Sequence, residues 1–98
     1  MRTKLAEPPK CCLITGSPKA ERHHVYGGTR RKLSEKWGAI AYLAKDFHTG
    51  KHGVHNGNKE LRLMLQAETQ KRFEAAGWTR EEFIETFGQN YIDDEDNS

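Results

Sequence analysis

Apolar positions along the chain come in short runs that stop at glycine or proline, a pattern of short elements joined by tight turns. Residues 1–10 predict an irregular lead-in, because Pro8-Pro9 removes two backbone donors and nothing before them is periodic. Cys11-Cys12-Leu13-Ile14-Thr15 is β-prone and ends at Gly16-Ser17-Pro18; Arg22-His23-His24-Val25-Tyr26 is again extended in character and ends at Gly27-Gly28. Together the two runs predict a loose hairpin. Thr29 is placed to cap a short basic helix reaching about Trp37, with Leu33 and Trp37 four apart on one face and Gly38 ending it. Residues 39–43 form the best strand candidate, residues 45–49 at least one helical turn, and residues 50–58, with three glycines and two asparagines, a loop. Asn58 caps the longest predicted helix, 59–76, where Leu61, Met64, Leu65, Glu68, Arg72, Phe73 and Ala76 track one side and Gly77 follows at C′. Thr79-Arg80-Glu81-Glu82 has the form of a capping box, with Phe83, Ile84 and Phe87 as the apolar stripe behind it.

Mixing strands with helices in this way predicts an α+β fold with two C-terminal helices. Its 98 residues suffice for one core but not two. Only 35% of residues are hydrophobic and 31% are charged, so that core is small and rests on the aromatics and leucines. The expected organisation is a lead-in over 1–10, one domain over 11–91 and an acidic tail over 92–98. No run approaches the roughly 20 apolar residues that cross a bilayer, and no apolar leader opens the chain, so the expectation is a cytoplasmic protein with no membrane partner. Cys11 and Cys12 are neighbours, which rarely bridge one another, and this fits a reducing compartment.

The net charge of +2 conceals an asymmetry. Asp93, Asp94, Glu95 and Asp96 carry four negative charges in the tail, leaving the body at about +6. Positive charge gathers between Lys19 and Lys36, with Arg22, Arg30, Arg31 and Lys32 near a pair of histidines. A basic collar of this kind suits a polyanion such as nucleic acid, and equally describes an ordinary solvated loop.

All five histidines, His23, His24, His48, His52 and His55, fall within 33 residues. Neutral imidazole is the commonest metal ligand and titrates near neutrality, so the cluster points to metal binding or acid–base chemistry, although any one loop histidine is more often plain surface. On a strand His23 and His24 face opposite sides unless the strand kinks or ends there.

The ordered set Cys12-x-x-Thr15-Gly16, Glu21-x-His23-His24-Val25-Tyr26-Gly27-Gly28, Arg30-Arg31-Lys32-Leu33-Ser34-Glu35-Lys36-Trp37-Gly38, Tyr42-Leu43 and His48 resembles small phage HNH-endonuclease-like proteins. The likeness continues through Gly53-Val54-His55 and Phe83-Ile84-x-x-Phe87-Gly88-x-Asn90-Tyr91. It implies a ββα-metal core with a short β-hairpin and a divalent metal, Mg2+, Mn2+ or Zn2+, held against a phosphodiester. In that scheme His24 is the general base, His23 and His48 are metal ligands with His55 carried alongside them, and Arg22, Arg30, Arg31 and Lys32 hold flanking phosphates of DNA.

Two departures stand out. The structural zinc of many members needs two CxxC knuckles, whereas here the first reads Cys12-Leu13-Ile14-Thr15 and the second Ala44-Lys45-Asp46-Phe47, so a four-cysteine site is excluded. Cys11 and Cys12 are then expected as buried or half-buried small residues, and Phe47 as apolar packing in place of a thiolate. The middle asparagine of the signature has no counterpart before Tyr42, while Asn56 and Asn58 come too late for it. A metal-dependent DNA endonuclease is therefore one expectation. A degenerate HNH-like module that binds DNA or a host defence protein is the other, and a structural zinc site made of histidines alone ranks behind both.

Overall fold

A computed structural model describes residues 2–92, so the acidic run at 93–96 lies outside the described residues. The described chain is a small mixed α+β domain with four α-helices, two 3-10 turns and one two-stranded antiparallel sheet. No described helix is long and apolar enough to cross a membrane.

The chain passes through strand β1 (Glu21–His24), a 3-10 turn (Gly28–Arg30), helix α1 (Arg31–Trp37) and strand β2 (Ile40–Leu43). It continues through the one-turn helix α2 (Lys45–His48), a second 3-10 turn (Val54–Asn56), and helices α3 (Lys59–Ala75) and α4 (Arg80–Phe87). β1 pairs with β2 in the register Glu21↔Leu43, Arg22↔Tyr42, His23↔Ala41 and His24↔Ile40. All four β2 residues are buried, as a continuous apolar run requires.

The two runs predicted to form a hairpin do not pair with each other. Residues 11–15 form a turn, not a strand, and the partner of β1 is β2. Pro9 and Pro18 bracket the Cys11–Thr15 segment, and its donors go to local or single contacts: Cys11 N–H to Pro9 O, Cys12 N–H to Ser17 O, and Leu13 N–H to Tyr42 O. Thr29 likewise caps nothing. It sits inside the 3-10 turn, and α1 starts after Arg30 without a side-chain cap.

The other end signals hold. Asn58 Oδ1 accepts the Leu61 N–H at 3.1 Å to start α3. Both halves of the Thr79/Glu82 box are present at 3.0 and 2.9 Å. Gly38 closes α1 with φ +79°, and Leu5 O occupies the space a Cβ would need, so glycine is required there twice over. That contact shows how the lead-in is used. It has no regular element, yet Leu5 is buried, its N–H bonds to Trp37 O, and Trp78 Nε1–H bonds to Thr3 O.

Phe73, Phe83 and Phe87 are fully buried and pack with Tyr26 and Trp78, joining both C-terminal helices to the segment after β1. Phe47 packs against the same core. Cys12 is buried and Cys11 half-buried. The buried face of α3 is rotated from the predicted stripe: Thr69 and Gln70 are inside, while Met64 and Glu68 are exposed. Gln70 is tolerated because its side chain accepts from Tyr91 N–H and donates to Asn90 Oδ1 and Glu74 Oε2.

Candidate metal centre

β1 is four residues long, and its pleat divides it into two chemically different faces. Glu21 and His23 point one way, Arg22 and His24 the other. The first face meets two further histidines.

His23, paired across the sheet with Ala41, is buried, and its ring centroid lies 5.2 Å from that of His48 and 5.2 Å from that of His55. The His48 and His55 rings are 4.8 Å apart. One ligand atom from each imidazole falls within 4.8 Å of the others, close enough to hold a metal ion. Tetrahedral coordination at roughly 2.0–2.1 Å places ligand nitrogens about 3.3 Å apart, so the set needs to contract by about 1.5 Å at most. Burial is graded across the group: His23 is buried, His48 half-buried and His55 exposed.

The elements that bring these rings together are short and tied by polar bonds. α2 delivers His48 at its last residue. The glycine-rich loop that follows is held by its asparagines, with Asn56 Nδ2 donating to Gly50 O at 3.2 Å and Asn58 Nδ2 to His52 O at 2.9 Å. These bonds fix the 3-10 turn that presents His55. Asn56 and Asn58 thus order the backbone between His48 and His55. His52 itself stays exposed, outside the cluster.

The electrostatics favour ligand-competent imidazoles. Burial, reinforced by the neighbouring histidines, pulls His23 down to about 4. Burial, His48 and the Arg31 guanidinium also lower His55. Both shifts favour the neutral imidazole, the form that ligates. An all-imidazole set suits Zn2+ better than Mg2+, which prefers oxygen.

His24 does not join the cluster. From the opposite face its Nε2 lies 2.7 Å from Glu35 Oε2. Glu35 is bound by Arg22 through both guanidinium Nη atoms, at 2.6 and 3.1 Å, and Arg22 Nε reaches Glu7 at 2.6 Å. First Arg22 and then His24 hold the Glu35 carboxyl down at about 2. The four residues expected to hold phosphate are placed unequally. Arg22 is engaged by two carboxylates. Arg30 is half-buried, with its guanidinium against Gly88 at the C-terminus of α4, where the helix dipole favours a cation. Arg31 and Lys32 are exposed, and neither forms an ion pair among the described residues.

Three residues that the sequence reading left without a role are Glu7, Glu21 and Glu35, each bonded to a basic or imidazole side chain of β1 or α2. For Glu21 a signal existed, since its spacing of two from His23 puts both on one strand face. No known protein family, curated protein or solved structure matches the chain.

Proposed function

We propose that this chain is a metal-dependent phosphodiesterase of the HNH type acting on DNA, with β1, β2 and α2 as its ββα-metal core. The convergence of His23, His48 and His55 on one half-open site carries this reading. His23, His48 and His55 would hold a single divalent cation, which when bound supplies positive charge to a phosphodiester oxygen. Arg31, close enough to His55 to depress its basicity, adds positive charge beside the site and favours a polyanionic strand. The proposed general base is His24. It ends β1, and its Nε2 lies 2.7 Å from Glu35 Oε2 on the face opposite the three rings, so this part of the reading rests on the resemblance and not on the cluster.

Incubating supercoiled plasmid with wild type, His24→Ala and His23→Ala under Zn2+, Mn2+ and Mg2+ tests the proposal. The expected result is nicking by wild type that EDTA abolishes and both substitutions reduce at least 100-fold. No cleavage under any of the three metals, or equal cleavage by all three proteins, overturns it.

The placement of His24 favours a second reading, a degenerate HNH-like module that binds DNA or a host protein. Its ring faces away from the other three and is held by a carboxylate that Arg22 already neutralises. A gel shift or pulldown that survives both EDTA and His24→Ala supports this alternative, and one abolished by chelator counts against it.

A further inference from the structure

We propose that Glu21 is the positioning residue of the histidine site: its carboxylate holds the His48 ring so that Nε2, and not Nδ1, faces His23 and His55. The inference rests on the metal-binding part of the reading above and deepens it.

Glu21 opens β1, and the strand's period of two sets its side chain on the face that carries His23. Its Oε1 lies 2.9 Å from His48 Nδ1, across 27 residues of sequence. One short strand therefore gives the site two things: a ligand directly, through His23, and an orienting partner for a second ligand that comes from α2. A carboxylate opposite one ring nitrogen keeps the proton on that nitrogen and leaves the other as the acceptor, which fixes both tautomer and ring plane. His48 needs such a partner more than His23 does. His23 is locked by burial, whereas His48 ends a one-turn helix with no side-chain cap and is only partly covered.

The plain alternative is a surface contact between Glu21 and His48 that fixes neither the tautomer nor the ring plane. As such it would stabilise the fold little, because Glu21 is 47% exposed. The two differ in what Glu21 does to the ring: a positioning partner sets which nitrogen faces His23 and His55, and a surface contact leaves that free.

The test uses the whole chain and two measurements that do not depend on DNA cleavage. Long-range 1H–15N correlation spectra of the metal-free protein at pH 7.5 read the tautomer, and titration calorimetry with Zn2+ alone reads affinity. In wild type, His48 is expected as the Nδ1–H tautomer with an unprotonated Nε2. Glu21→Ala should move His48 toward the Nε2–H form and weaken Zn2+ binding roughly 10- to 100-fold, the usual effect of losing an outer-shell partner. Glu21→Gln offers an oxygen that can accept the same bond, and should regain a substantial part of that loss. Equal losses in both variants would assign the effect to charge alone and overturn the positioning role. Wild-type His48 protonated at Nε2, or Zn2+ affinity unchanged within twofold in Glu21→Ala, would overturn it as well. Failure of wild type to take up Zn2+ would remove the metal reading too, whereas uptake without a Glu21 effect would remove only this inference.

Discussion

Gly53 makes the closest backbone approach in the histidine loop, and replacing it with alanine perturbs the site without touching a ligand. Its φ of −81° and ψ of 153° suit any residue, so the consequence is steric alone. A Cβ at Gly53 would stand 2.5 Å from His48 O, 2.7 Å from His48 C and 3.0 Å from Gly50 O. Ordinary contact begins near 3.4 Å, so the two backbones must part by about 0.9 Å. No flexible side chain can yield instead, since all three atoms belong to the main chain. The displaced peptide is that of His48, and residue 53 lies two before His55, so the movement separates two of the three imidazoles. Overpacking of this size costs about 1–3 kcal/mol. In a domain of this length each kcal/mol lowers the melting temperature by roughly 4–8 °C. Metal–ligand distances tolerate only about 0.2 Å, so Zn2+ affinity should also fall, by roughly tenfold or more. Calorimetric Zn2+ titration and metal-free thermal melts of Gly53→Ala read both effects. Gly27→Ala is the control, because its Cβ would meet nothing within 4 Å and its φ of −94° is unstrained. An unchanged melt would refute the steric argument. A lowered melt with wild-type Zn2+ affinity would refute the claim that His48 and His55 act together.

Two further outcomes are expected. Ser34 is fully buried, accepts the Tyr26 N–H at 3.0 Å and donates to Tyr26 O at 2.7 Å, stitching α1 to the residues that follow β1. Ser34→Ala leaves both groups without that partner and should cost about 2–4 kcal/mol by urea unfolding at constant slope, with a loss below 1 kcal/mol contradicting the assignment. The Glu35 carboxyl, held at about 2 by Arg22 and then His24, has a folded value below its unfolded one of roughly 4.3. Its contribution to stability is therefore full above the unfolded value and disappears as pH falls through about 2. Arg22→Met should raise this pKa toward the ordinary carboxylate range in a 13C NMR titration, and a Glu35 that still titrates near about 2 would show that Arg22 is not the cause.

Local signals in the sequence were read well where one residue's chemistry decides the outcome. Asn58, the Thr79/Glu82 box, Gly38 and Gly77 mark helix ends through hydrogen bonds or left-handed backbone that few other residues supply. Strand pairing is a long-range choice, and the β-prone run at 11–15 lost β1 to residues 40–43, whose uninterrupted apolar side chains can be buried entirely. The rotation of α3 had the same origin: Gln70 enters the core because Tyr91 and Asn90, twenty residues on, satisfy it. At the candidate site, His23, His48 and His55 were legible as a group, and strand alternation already separated His24 from His23. The carboxylates were not legible, because Glu7, Glu21 and Glu35 look like ordinary surface charge until tertiary folding sets each beside Arg22, His24 or His48.

We propose that His23, His48 and His55 together bind one divalent cation. Anomalous diffraction from crystals grown with equimolar Zn2+ tests it most directly. One strong peak per chain is expected, about 2.0–2.1 Å from a nitrogen of each of the three rings. A peak bound by His24 or His52 instead, or no peak within reach of all three imidazoles, would contradict it.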